Sequence, residues 1–219
     1  MPSHSEVLSL VAGEPVASIR PPAPDQVGLA TLLHFEGELR RRTSVNELLY
    51  HFANETRQIV GYDQMFILRQ SRIGEGFHVV VASSIAVVDR NAPLIQAIEA
   101  IISAAGAGTE LDHAQDFAAT DRSTDPAIAE YPFTAWRWQP LVDRQGIVFA
   151  GLLFARQEPM REGEGVRTER IAETLSHAWC ALTGGKPVRK IGVLGRFGRR
   201  SIAIALIGIA LFPVRLTAL

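Results

Sequence analysis

SVNELLYHFANETRQIVGYDQMFIL, residues 44–68, changes rhythm half-way along, and that change decides the fold class. Ser44 and Glu47 form a capping box, S-x-x-E, in which each side chain satisfies a free backbone N–H at a helix start. Val45, Leu48, Leu49, Phe52, Thr56, Ile59 and Val60 then recur at i, i+3, i+4 spacing. That spacing predicts an amphipathic helix over residues 45–60, ended by Gly61. From Met65 the period drops to two, which predicts a strand over residues 65–70.

The pattern extends outward in both directions. Residues 71–76 read as a turn and 77–83 as a hairpin partner. Asn91 is the expected cap, and Pro93 the first residue, of a helix running to about Ser103. Residues 109–123 are polar and without a clear period. Asp125 and Pro126 suggest one short helical turn. Residues 135–141 and 147–156 are two further strands, joined by the tight turn Asp143-Arg144-Gln145-Gly146. A last helix is predicted over residues 165–182, with Ile171, Leu175, Ala178, Trp179 and Leu182 on one stripe. Upstream, Asp25 is the expected cap of a helix starting near Gln26 and carrying Leu29, Leu32, Leu33 and Leu39. The two stripes predict that the first and last of these helices pack together on one side of the sheet and extend their contact to a second chain. Hairpins segregated from helices argue for an α+β fold with an antiparallel sheet.

This order of elements resembles a GAF domain, a small-molecule sensing module related to PAS domains. The resemblance covers residues 26–182. It rests on residues 44–68, on the hairpin WRWQPLVDRQGIVFAGLLFARQEP (residues 136–159), and on the amphipathic helix that starts in REGEGVRTERI. It implies a sensory or regulatory module. The several loop cysteines of methionine-sulfoxide-reducing GAF enzymes have no counterpart, because Cys180 is the sole cysteine. The pocket cysteine of bilin-bearing GAF domains and the N-K-x-F-D-E pattern of cyclic-nucleotide ones are absent too.

Composition points away from several other functions. Net charge is −1, so no global field recruits nucleic acid. One cysteine allows no intrachain disulfide and none of the multi-cysteine metal sites. The chain has no G-x-S-x-G elbow, H-E-x-x-H pair or P-loop. Its histidines, His4, His34, His51, His78, His113 and His177, include no i, i+3 or i, i+4 pair. No cofactor, metal or catalytic residue is therefore expected. What remains is an aromatic set. Trp136 and Trp138 flank Arg137, so strand geometry puts both indoles on one face and the guanidinium on the other. Tyr131, Phe117 and His113 precede them in segments that, in GAF domains, close over the ligand. Trp136, Trp138, Tyr131, Phe117 and His113 are the candidate binding residues for a neutral or weakly polar planar effector. Core packing is the favoured alternative for the two tryptophans.

The tail carries a different signal. Lys186, Arg189, Lys190, Arg196, Arg199 and Arg200 form a basic run, no acid follows Glu173, and SIAIALIGIALFPVRLTAL completes residues 201–219. Basic residues beside an apolar segment mark the cytoplasmic end of a membrane span. Residues 202–214 are short of the roughly 20 apolar residues a full crossing needs. Snorkelling of Arg215 would extend them to 219. The competing reading is a helix packed on a soluble core. The charge asymmetry favours the membrane, with anionic lipid as partner of the basic run. The expected organisation is a disordered arm (1–24), a GAF-like domain (25–183), a basic linker (184–200) and a transmembrane helix (201–219). The N-terminus lacks a basic n-region and a long apolar run, so it is not a secretory signal. Residues 199–219 resemble the inner-membrane anchor of a membrane-fusion, periplasmic adaptor protein of haemolysin-secretion (HlyD-like) type. That resemblance implies an efflux or secretion adaptor, single-pass in the inner membrane and cytoplasmic at its N-terminal domain. A homo-oligomer is expected. Two alternatives stay open: a structural dimerisation module with a vestigial pocket, and a small-molecule enzyme on a GAF fold.

Overall fold

VFAGLLFAR, residues 148–156, is apolar on both of its faces, which suits a strand covered from both sides. It is the central strand. The computed structural model describes residues 24–71, 76–106, 110–161 and 163–184, with side chains from residue 28. Within it β1 (Gln64–Gln70), β2 (Phe77–Ala82), β3 (Gln115–Ala118), β4 (Ala135–Val142) and β5 (Val148–Arg156) form one sheet in the order β2-β1-β5-β4-β3. Every pairing is antiparallel. Helices α1 (Pro24–Arg40), α2 (Val45–Glu55) and α6 (Glu164–Leu182) cover one face. On the other lie α3 (Pro93–Ala105) and two single turns, α4 (Ala119–Arg122) and α5 (Pro126–Ala129). The α+β expectation, an antiparallel sheet flanked by helices, holds.

Each face has its own core. Leu48, Phe52, Met65, Ile67, Leu152, Phe154, Ile171 and Leu175 fill the first. Phe66, Leu68, Ile98, Ile102, Ile128, Trp136, Trp138 and Leu153 fill the second. Alternation along β1 and β5 divides these residues between the two.

α1 and α6 meet as expected. Phe35 and Leu39 join Ile171, Leu175 and Trp179 in one core. Glu36 is 4% exposed and accepts from Arg170 Nε (2.9 Å) and Thr174 Oγ1 (3.2 Å). The α1 stripe is nevertheless only half used. Leu29 and Leu33 are 57% and 58% exposed, because they lie one turn apart on the face of α1 turned away from the core that Leu32, Phe35 and Leu39 join.

Several boundaries differ from expectation. α2 stops at Glu55 and tightens into a 3-10 turn, Thr56–Gln58. The Ala53 carbonyl, which a continuing helix would offer to the Arg57 N–H, accepts from the Tyr62 hydroxyl at 2.6 Å. Asn91 does not cap α3. Ala92 is the N-cap residue, Pro93 starts the helix, and the Asn91 N–H donates to Asp89 Oδ1. α1 starts at Pro24, so Asp25 lies inside the helix. Residues 110–123 carry a 3-10 turn (Glu110–Asp112), β3 and α4, where the sequence showed no clear period. Apart from Pro24 and Gly184, the arm, the basic linker with its six cations and the apolar segment 201–219 lie outside the described residues. Among the described residues no helix is long and apolar enough to cross a membrane.

Candidate functional site

The aromatic candidates divide into three groups. Trp138 is wholly buried on the α3 side of the sheet. Its Nε1–H donates to the Leu111 carbonyl at 3.0 Å, and Phe77 stands edge-on to it at 5.4 Å. Its six-membered ring lies against Gly151, where any Cβ would fall inside the indole's van der Waals envelope. Trp136, Phe117 and Tyr131 form an edge-to-face cluster, with Phe117 at 5.9 Å and Tyr131 at 6.5 Å from Trp136. Trp136 Nε1–H donates to the Phe133 carbonyl, and the Tyr131 hydroxyl donates to Gln64 Oε1. Burial pushes the Tyr131 phenol well above its ordinary pKa. His113 stands apart, exposed in the bend before β3. The α3-side face is thus filled here by the chain's own indoles, each with its N–H satisfied.

Arg137 turns to the opposite face, as its position between the tryptophans requires. Register puts Asp116, Ala118, Ala135, Arg137 and Arg156 on that same face, since directly paired residues share a side. There they border a cavity of about 240 Å³, which Pro159 and Met160 close from the β5–α6 connection. Phe117 and Trp136 also border it, so two of the five sequence candidates reach this cavity. Tyr131, Trp138 and His113 do not line it. The room exists because Ala118 and Ala135 are small and α6 begins only at Glu164.

Two arginines supply the polarity. Arg137 NH1 donates to Asp116 Oδ2 at 2.6 Å, while its buried Nε has no partner. The guanidinium lies so close to Gly165 that a Cβ there would touch NH2 at 3.0 Å. Arg156 NH1 donates to Glu164 Oε2 at 2.7 Å, which also accepts from the Arg161 N–H. Burial pushes the Glu164 carboxyl up, but these two hydrogen bonds and the charges of Arg156 and Arg167 outweigh it and hold its pKa low. Sequence reading missed Asp116, Arg156 and Met160. Only recognition of β3 as a strand would have placed Asp116 opposite Arg137, and its four residues carry too little pattern for that.

Other reactive groups are scattered. His78 Nδ1 meets Glu99 Oε2 at 2.9 Å between β2 and α3. Cys180 lies half-buried on α6, and burial, then Asp143, raises its thiol pKa. A second cavity, of about 410 Å³, opens between the ends of α1 and α6 among Arg40, Arg42, Arg170, Glu173 and His177. Among the described residues no group of His, Cys, Asp and Glu could hold a metal ion.

No family model matches the sequence, and no curated protein matches it. Solved structures do. The GAF domain of an Acinetobacter phosphoenolpyruvate-protein phosphotransferase is similar at TM-score 0.56 and 12% identity, over 77% of this chain and 100% of that one. Free methionine-R-sulfoxide reductase from Neisseria meningitidis, solved with its substrate, is similar at TM-score 0.52 and 12% identity, over 76% and 96% of the two chains. A bacteriophytochrome from R. palustris is similar at TM-score 0.52 and 15% identity, over 85% of this chain and 43% of that one. The fold is therefore that of a GAF domain.

Proposed function

We propose that this chain is a non-catalytic regulatory module of GAF fold that works by assembling with other copies of itself. The packing of Trp138 carries this reading. The face that the family resemblance would assign to an effector holds Trp138 on Gly151 and Trp136 against Phe117 and Tyr131, which disfavours an effector pocket lined by the aromatic candidates. Surfaces are left to do the work. Leu29 and Leu33 on α1, and Val166 on α6, are exposed apolar side chains on the two helices that pair through Glu36, Arg170 and Thr174. The raised pKa of Cys180 argues against a thiolate enzyme, because the thiolate is the nucleophile.

The module sits on the cytoplasmic side of the inner membrane and forms the N-terminal part of an efflux or secretion adaptor of haemolysin-secretion type. What supports this is sequence alone: six cations with no acid after Glu173, then the apolar residues 201–219. A reporter fused after Leu219 should be periplasmic and one at the N-terminus cytoplasmic. Changing Arg189, Lys190, Arg196, Arg199 and Arg200 to Glu should impair or invert insertion. Unaltered topology in that variant sinks the tether. Assembly is checked separately by sedimentation, in which Leu33→Asp should shift the species toward monomer.

A further inference from the structure

The groove between the last turns of α1 and α6 lies where the chain leaves the folded domain. The two helices run in the same direction: Glu36 meets Arg170 and Thr174, and further on Leu39, Arg40 and Arg42 border the groove with His177, Ala181 and Leu182. α6 ends at Leu182, shortly before Lys186 opens the basic run. The six cations of residues 186–200 therefore start from this end of the domain.

The groove is apolar along one part and cationic along the other. Leu39, Ala178, Ala181 and Leu182 line it beside Arg40, Arg42, Arg170 and His177, with Glu173 as the one acid of the lining. Four arginines share two carboxylates here: Glu36 takes Arg40 and Arg170, and Glu38 takes Arg41 and Arg42. The side chains of Arg40 and Arg41 are 73% and 71% exposed, and ion pairs so exposed hold their partners weakly. Glu47 and the negative ends of the two helices absorb part of the surplus, and the cations of the linker restore it. The opposite end of the domain has the reverse balance. Ala135 pairs with Arg156, so the connections 119–134 and 157–164 leave adjacent strand ends. They carry Asp121, Asp125, Glu130, Glu158, Glu162 and Glu164 against Arg122 and Arg161. An anionic surface thus attracts one end of the domain and repels the other.

We infer that the domain docks on an anionic bilayer through this groove, with phospholipid headgroups taken by Arg40, Arg41 and Arg170. Docking rests on the tether proposed above and goes beyond it by fixing which end of the domain meets the membrane. The acidic connections then point away from the surface. α1 and α6 rise from the bilayer, which leaves Leu29 and Leu33 open to a second copy on the same membrane.

The full chain is tested in phosphatidylcholine vesicles with and without phosphatidylglycerol. In a Cys180→Ser background a fluorophore is attached through Thr43→Cys, beside the groove, or through Thr124→Cys, at the far end. A lipid with a nitroxide headgroup quenches whichever label lies at the surface. With phosphatidylglycerol present, quenching at residue 43 should exceed that at residue 124 several-fold, and without it the excess should shrink. Arg40→Gln with Arg41→Gln should weaken docking about fivefold per arginine removed. Equal quenching at the two positions overturns the docking, as does a signal that ignores phosphatidylglycerol or is unchanged in the double variant. Full displacement by free glycerol phosphate also overturns it, because the groove would then be an anion pocket and not a docking face. The comparison of lipids decides even where the double variant fails to fold. Flotation reads the tether separately. A chain that leaves neutral vesicles lacks the tether and overturns both readings, whereas one that floats with residue 43 unquenched overturns the docking alone.

Discussion

Trp138 and Gly151 behave as a single unit at the residue scale. The indole occupies the space that any other residue at 151 would claim, and its N–H satisfies the Leu111 carbonyl. Trp138→Ala should cost about 3–5 kcal/mol, the usual loss for a buried large aromatic. Gly151→Ala should cost about 1–3 kcal/mol, because the added methyl must displace the ring. Chemical denaturation measures both, and a neutral Gly151→Ala would show that the ring is not seated there.

His51 sets a pH dependence. It stacks on Phe35 at 6.1 Å, and its Nδ1 accepts from Arg42 NH2 at 3.1 Å. Burial, then the Arg42 charge, lowers its pKa from the ordinary 6.5, and Glu55 and Glu38 offset this only in part. The unfolded chain therefore takes up a proton near pH 6.5 while the folded one resists. The sign follows: this stability is present in full above pH 6.5 and is lost as pH falls from there through the lower folded value. His51→Gln should flatten the melting temperature between pH 7 and 5. An unchanged slope would place the acid sensitivity elsewhere.

For the elements, α1 and α6 show how one apolar stripe serves two purposes. Leu175 is fully buried between the helices and the sheet, so Leu175→Ala should cost about 2–4 kcal/mol. Leu33 is 58% exposed, so Leu33→Ala should change monomer stability by less than about 0.5 kcal/mol. Thermal melts of dilute protein separate the two. A cost above ~1 kcal/mol at Leu33 would mean that a second chain already covers it. The edge strand β3 is the shortest in the sheet. Four residues long, it is held by β4 on one side and by the Asp116–Arg137 ion pair.

Across the whole molecule, two cores back to back on one sheet make residues 24–184 self-contained, apart from the surface left to assembly. Residues 1–183 should stay in solution without detergent, whereas the full chain should require it. Ultracentrifugation of the two with and without detergent checks this. A full chain that stays soluble without detergent would favour a C-terminal segment packed on protein over one in a bilayer.

Much of this protein was legible in the sequence because it is local. The capping box at Ser44, the switch from helical to period-two rhythm before Met65, the turn at Asp143 and the amphipathic stripe of α6 are all set by neighbours within a few residues. Those signals sufficed for an α+β fold with a GAF-like order, and for the opposite facing of Arg137 and the tryptophans. The tail's charge pattern is likewise a property of sequence. Tertiary structure decided the rest. Whether Trp136 and Trp138 line a space or fill it depends on Gly151 in the next strand and on Leu111, 27 residues upstream, which no periodicity reports. The α6-side cavity depends on register between β3, β4 and β5, because only pairing brings Asp116, Arg137 and Arg156 to one face. Residues distant in the chain make that site, and no local rule of spacing reaches across those distances.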